Sequence, residues 1–168
     1  MQGVLDMKLV YSAVYIAISG FIFYLIGEAM PRKWFSEDKF PYSDYKWERK
    51  GKIYDKLKIK KWKSKLIDMS KIFATMIPKS VALNVTPAQL SALIKETCVA
   101  EFIHYVLCLT SAGVYYIYRD AKGIFVWFLC VLGNIPFILV QRYNRPHLKV
   151  IRDKMLSKVA EKNIVYNV

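Results

Sequence analysis

The chain carries only two histidines, three cysteines and seven glycines among 168 residues. No Gly-rich phosphate loop, no Gly-x-Ser-x-Gly elbow and no His-x-x-x-x-Asp pair occurs, so neither a P-loop cradle nor a covalent serine intermediate has a basis here. Cys98, Cys108 and Cys130 fall in or beside apolar stretches, which is neither a disulfide framework nor paired zinc spacing; they read as small packing residues. Cys98, Glu101, His104 and His147 could gather, but a lone Glu-x-x-His is the weaker half of a di-metal motif, so no metal is expected. No internal repeat, low-complexity tract or second domain is visible, and residues 1–168 are read as a single membrane domain.

What the chain has in abundance is apolar surface, at 55% with 15% aromatics, gathered in blocks rather than spread periodically. Residues 9–27 hold no charge and are long enough to cross a hydrocarbon core of about 30 Å. The weak n-region and poor cleavage site favour a retained transmembrane helix over a signal peptide. Residues 99–118 and 123–140 give a second and a third span, joined by the polar turn Arg119-Asp120-Ala121-Lys122. In the third, Pro136 removes a backbone donor and frees a carbonyl near Gly133 and Asn134, which hydrocarbon tolerates only where protein groups satisfy it.

Between the first two spans, residues 31–98 form a basic loop with Trp34, Trp47 and Trp62 interleaved among lysines, a composition suited to the headgroup level. Apolar residues at Ile53, Leu57, Trp62, Leu66 and Met69 predict an amphipathic interfacial helix over 51–69. Residues 72–85 are apolar but interrupted by Pro78 and Lys79 and too short to span, which suggests a re-entrant segment or buried hairpin. Thr86-Pro87 reads as an N-cap followed by proline at the first helical position. The fold class expected is therefore all-α integral membrane, with three transmembrane helices, an interfacial helix and a short re-entrant segment.

Sixteen of the 26 Lys and Arg residues lie between Glu28 and Cys98 and seven follow Gln141, against one in the N-terminal tail and two in the 119–122 turn. By the positive-inside rule the loop and the tail 141–168 are cytoplasmic in a multi-pass membrane protein. The net charge of +13 is then matched to anionic membrane lipids, each basic group contributing about 1 kcal/mol near the surface, rather than to nucleic acid. In that topology Glu101, His104 and the 141–145 tract meet at the same face.

An ionisable side chain within a membrane segment is costly and by default marks function. Glu101 and His104, three apart on one helix, share a face, with Glu96 just ahead of them. Arg142 and Arg145 are also three apart, with Gln141 and Asn144 beside them. Guanidinium groups bind phosphate or carboxylate bidentately. Against this stand blander readings: Glu101 pairing with an arginine from the next span, and the arginines as ordinary positive-inside anchors.

The pattern Asn134-x-Pro136-x-x-x-x-Gln141-Arg142-Tyr143-Asn144-Arg145-Pro146, with Trp47-Glu48-x-x-Gly51, Lys61-Trp62-Lys63 and Glu96-x-x-x-x-Glu101-x-x-His104 upstream, resembles the glycosyl-diaponeurosporenoate acyltransferase family. The resemblance covers roughly residues 45–146 in the right order, and Gln-Arg-Tyr-Asn-Arg is its most specific part. The chain departs from it at Leu66-Ile67-Asp68, where the family carries Leu-Pro-Asp, and at His147, where arginine is common.

The resemblance implies a membrane O-acyltransferase that moves a fatty acyl chain onto a sugar hydroxyl of a glycosylated lipid or carotenoid acid. His104 would then be the general base and Glu101 its orienting carboxylate. Gln141, Arg142, Asn144, Arg145, Glu96, Trp62 and Lys63 would bind substrate. The donor would be acyl-coenzyme A or a similar activated acyl group, the acceptor a hydrophobic glycoside, with no tightly bound cofactor. The alternatives are a non-catalytic membrane adaptor, or a transferase acting on another envelope lipid or polysaccharide.

Overall fold

A computed structural model describes residues 2–49, 51–63, 66 and 85–166, all of whose regular elements are helical. Among the described residues, three helical segments are long and apolar enough to cross a membrane: Met7–Ala29, Pro87–Tyr118 and Ala121–Glu161. The re-entrant segment expected over 72–85 falls almost wholly outside the described residues. By contacts the chain forms two compact units, Met1–Trp34 with Val99–Ile138, and Phe35–Cys98 with Leu139–Val168.

The first unit is built from α1 (Gln2–Ala29), the second half of α4 (Pro87–Thr110), α5 (Val114–Tyr118) and the first part of α6 (Ala121–Tyr166). Val10, Tyr11, Val14, Ile18, Phe21, Ile22 and Leu25 on α1 are exposed, as lipid-facing side chains of a span are. At Gly27 a Cβ would lie 3.1 Å from Ile103; a small residue there lets α1 and α4 approach closely. The second span is not one helix, because a 3-10 turn at Ser111–Gly113 separates α4 from α5. That turn disturbs the backbone ladder in hydrocarbon, and side chains answer for it. Tyr15 donates to the Thr110 carbonyl at 2.7 Å, while Trp127 and Ser111 both donate to Cys108, each at 2.9 Å. Gly113 leaves the room that the Tyr15 hydroxyl occupies. The short turn at 119–122 is as expected: Arg119 takes a left-handed C-cap conformation, and Asp120 accepts from the Lys122 N–H at 2.9 Å to open α6.

The second unit contains residues 35–48, α2 (Lys52–Lys56), α3 (Ile59–Trp62) and the later part of α6. The single amphipathic helix expected over 51–69 is broken into α2 and α3 by a turn at Leu57 and Lys58, the latter in left-handed conformation. Its apolar residues have a protein partner. Tyr54 and Ile59 bury against Val140 and Tyr143, with Ile53, Trp62 and Leu66 packed around them, whereas Leu57 stays half exposed. The N-cap at Thr86 forms as predicted, its hydroxyl accepting from the Gln89 N–H and the Gln89 side chain accepting from the Thr86 N–H. α6 continues through the 141–146 tract and Pro146 and runs on to Tyr166.

Candidate functional site

In the first unit two helical neighbours on α4 meet different partners. His104 Nδ1 lies 2.8 Å from Asn134 Oδ1, and the imidazole stacks on Phe137 with ring centroids 4.8 Å apart. Asn134 donates through Nδ2 to the Cys130 carbonyl at 2.9 Å, which fixes its amide with the oxygen toward His104. An oxygen acceptor there requires the proton on Nδ1, so in the neutral ring Nε2 is the basic nitrogen. Glu101 is fully buried and accepts from the Tyr105 hydroxyl at 2.7 Å. The hydrogen bond that orients His104 through Nδ1 thus comes from Asn134 across 30 residues. Asn134 and Tyr105 were not singled out for the site, although Asn134 opens the motif that carries the resemblance.

The second unit buries the tract read as a charged mouth. Gln141, Arg142, Tyr143 and Arg145 are all buried, the last at 2% exposure, and Glu96 is partly buried. Arg142 bonds Glu48 side-on, through Nε to Oε1 and through Nη2 to Oε2 at 3.0 Å, and also donates to the carbonyls of Pro41 and Ser43. Arg145 donates to the Tyr42 carbonyl at 2.7 Å and to the hydroxyl and carbonyl of Thr97. Two guanidiniums, one helical turn apart, therefore hold residues 41–43 by three successive carbonyls. Tyr42 and Tyr45 place their rings over Arg145 and Arg142.

Glu48 completes this cluster by accepting from the Tyr54 hydroxyl and the Tyr45 N–H. Burial alone would push its carboxyl upward, but hydrogen bonds from Arg142, Tyr54 and Tyr45 outweigh that and hold it below the usual carboxylate range. Burial and then the Glu48 carboxylate raise the Tyr54 phenol far above its ordinary value. Glu48 and Tyr54 were not read as site residues; the Trp47-Glu48-x-x-Gly51 motif was the available signal. Gly51 sits at φ +89°, with Pro146 3.1 Å from where a Cβ would be. Lys63 donates to Asn144 at 2.8 Å and lies over the Tyr143 ring, and Trp62 donates to the Leu57 carbonyl at 3.1 Å. Among the described residues no group of three His, Cys, Asp or Glu side chains is placed to hold a metal.

Long apolar helices that enclose buried ionisable side chains define a multi-pass helical membrane protein. A model of the glycosyl-4,4'-diaponeurosporenoate acyltransferase family matches residues 31–154. The protein of that name from Staphylococcus aureus strain MRSA252 is 30% identical over 124 residues, covering 73% of this chain and 74% of its own. Its counterpart from strain N315 is 29% identical over the same shares. The chain belongs to this family and is an O-acyltransferase. No solved structure matches it.

Proposed function

We propose that the protein transfers a fatty acyl group from an activated donor, such as a coenzyme A thioester, to a sugar hydroxyl of a membrane-held glycoside. A glycosylated carotenoid acid is the acceptor that the relatives' names suggest. The observation that carries the reading is the His104–Asn134 pair, an imidazole within a membrane-spanning helix with its tautomer fixed. His104 Nε2 takes the hydroxyl proton as the sugar oxygen attacks the acyl carbonyl, and the thiolate leaves. Glu101, held by Tyr105, tunes this polar cluster. Part of the barrier falls because acceptor and base are confined together.

The second unit carries the residues that the resemblance assigns to substrate binding. Arg142 and Arg145 act there through residues 41–43, which they hold, with Glu96, Gln141, Trp62, Lys63 and Asn144 around them. Membrane lipids bind the remaining basic surface. The test is acyl transfer by the purified protein in vesicles supplied with the glycoside and an acyl-coenzyme A. His104→Gln should reduce the rate roughly 10²- to 10⁴-fold; equal turnover by the variant would remove the base from the mechanism.

A further inference from the structure

A cavity of about 160 Å³ opens within the first unit, lined by Tyr15 and Gly20 of α1, by Leu107 and Thr110 at the end of α4 with Ser111 of the turn that follows, and by Asn134 of α6. All lie within the segments read as membrane-spanning. The cavity is a half-open groove rather than an enclosed void, and its lining is mostly apolar.

Several polar side chains of the lining are already committed to one another or to backbone. Tyr15 donates to Thr110, Ser111 to Cys108, Thr110 to Val106, and Asn134 serves both Cys130 and His104. A water placed there would have few partners to gain, whereas hydrocarbon loses nothing. Asn134 ties the cavity to the reacting centre, since it belongs to the lining and holds His104. Leu107 stands one helical turn beyond His104 on α4, and Thr110 and Ser111 stand a further turn on.

We propose that this cavity receives the end of the donor's acyl chain, with the thioester at the level of His104. The inference rests on the acyl-transfer reading above and names the chain that the site measures. Lining residues from Tyr15 to Gly20 extend about 7 Å along α1 at the helical rise. A flexible saturated chain can turn its last few carbons into such a slot, and a stiff conjugated tail cannot. Chain length is then read by how much of the slot is filled.

Gly20 is the position to test, because it lines the groove and a Cβ there meets nothing within 4 Å, so a larger side chain has room beside the groove without displacing the fold. Gly133 has the same open surroundings but does not line the cavity, and so is the control. Gly20→Leu should lower kcat/KM for a palmitoyl donor roughly tenfold or more and leave a butyryl donor within about twofold. Gly133→Leu should change neither.

An independent readout uses palmitoyl-coenzyme A with a diazirine at the chain end, photolysed with the full-length protein in vesicles. Adducts should map to Tyr15, Ser19, Gly20, Cys130 and Asn134 and vanish in Gly20→Leu. Adducts from a glycolipid whose own tail carries the diazirine, in place of the donor's, would overturn the assignment; so would adducts spread over the lipid-facing residues Val14, Ile18 and Phe21. Adducts in the slot without any turnover would sink the acyl-transfer reading and keep the chain site. Turnover with an unchanged chain-length profile in Gly20→Leu would do the reverse.

Discussion

Arg142 and Glu48, 94 residues apart, meet as a side-on pair at 6% and 4% side-chain exposure. Their bond makes the most specific tract of the sequence a piece of architecture. A charge buried this deeply needs its partner, because removing one member strands the other in a poorly solvating environment.

Glu48→Gln should therefore destabilise the protein by roughly 3–5 kcal/mol, although the side chain hardly changes shape. Thermal unfolding in detergent would measure it. Arg142→Lys keeps the charge but cannot reproduce the side-on pair together with the Pro41 and Ser43 contacts, and should also lower the midpoint. A Glu48→Gln protein as stable as wild type would show that the pair does not hold the second unit together.

The same cluster sets a pH window. The lowered Glu48 carboxyl contributes stability that is complete above the ordinary carboxylate pKa and is lost as pH falls through its lowered value. The raised Tyr54 phenol contributes stability that is complete below its ordinary pKa, about 10, and is lost as pH rises beyond it. Unfolding midpoints should therefore fall at both extremes; Tyr54→Phe should flatten the alkaline limb and, by removing one of the bonds that lowers Glu48, shrink the acid limb as well.

Asn134→Leu removes the acceptor that fixes the His104 tautomer while keeping the side chain's size. We expect kcat to fall at least roughly tenfold with the acceptor's KM changed by less than about twofold. Unchanged kcat would mean that the ring is oriented by something other than Asn134.

Gly113→Ala puts a methyl group where the Tyr15 hydroxyl lies. The overpacking should cost roughly 1–3 kcal/mol. Because Tyr15→Phe acts on the same hydrogen bond to Thr110, the two substitutions should be less than additive in a double-mutant cycle; strict additivity would argue that Gly113 serves some other purpose.

The three spans were legible because bilayer thickness imposes a length and a composition that can be read residue by residue. The Thr86 cap and the 119–122 turn were legible for a similar reason, since their chemistry is local. The 141–146 tract was not. Its arginines looked like charges leaving the membrane because their partners, Glu48, Tyr42 and Thr97, come from 48 to 103 residues away, and no periodicity encodes such pairings. Over 51–69 the spacing pointed to Ile53, Leu57, Trp62 and Leu66, whereas the residues that bury are Tyr54 and Ile59, because the chain turns at Leu57 and Lys58 and the cover comes from Val140 and Tyr143, which no local spacing encodes. For His104 the sequence offered Glu101 as the orienting group, being near on the same helix, and the structure adds Asn134 from another.

The bond from Tyr15 to Thr110 spans 95 residues, and this sets an order of events at the ribosome. The first span is made and delivered to the bilayer while the backbone it will serve has yet to be synthesised. Tyr15 must therefore wait in lipid for its acceptor, and the 3-10 turn, when it emerges, finds a donor already at membrane depth. Insertion precedes association, as in two-stage assembly. A truncated nascent chain that ends before Thr110 should accordingly carry an inserted but unpartnered first helix.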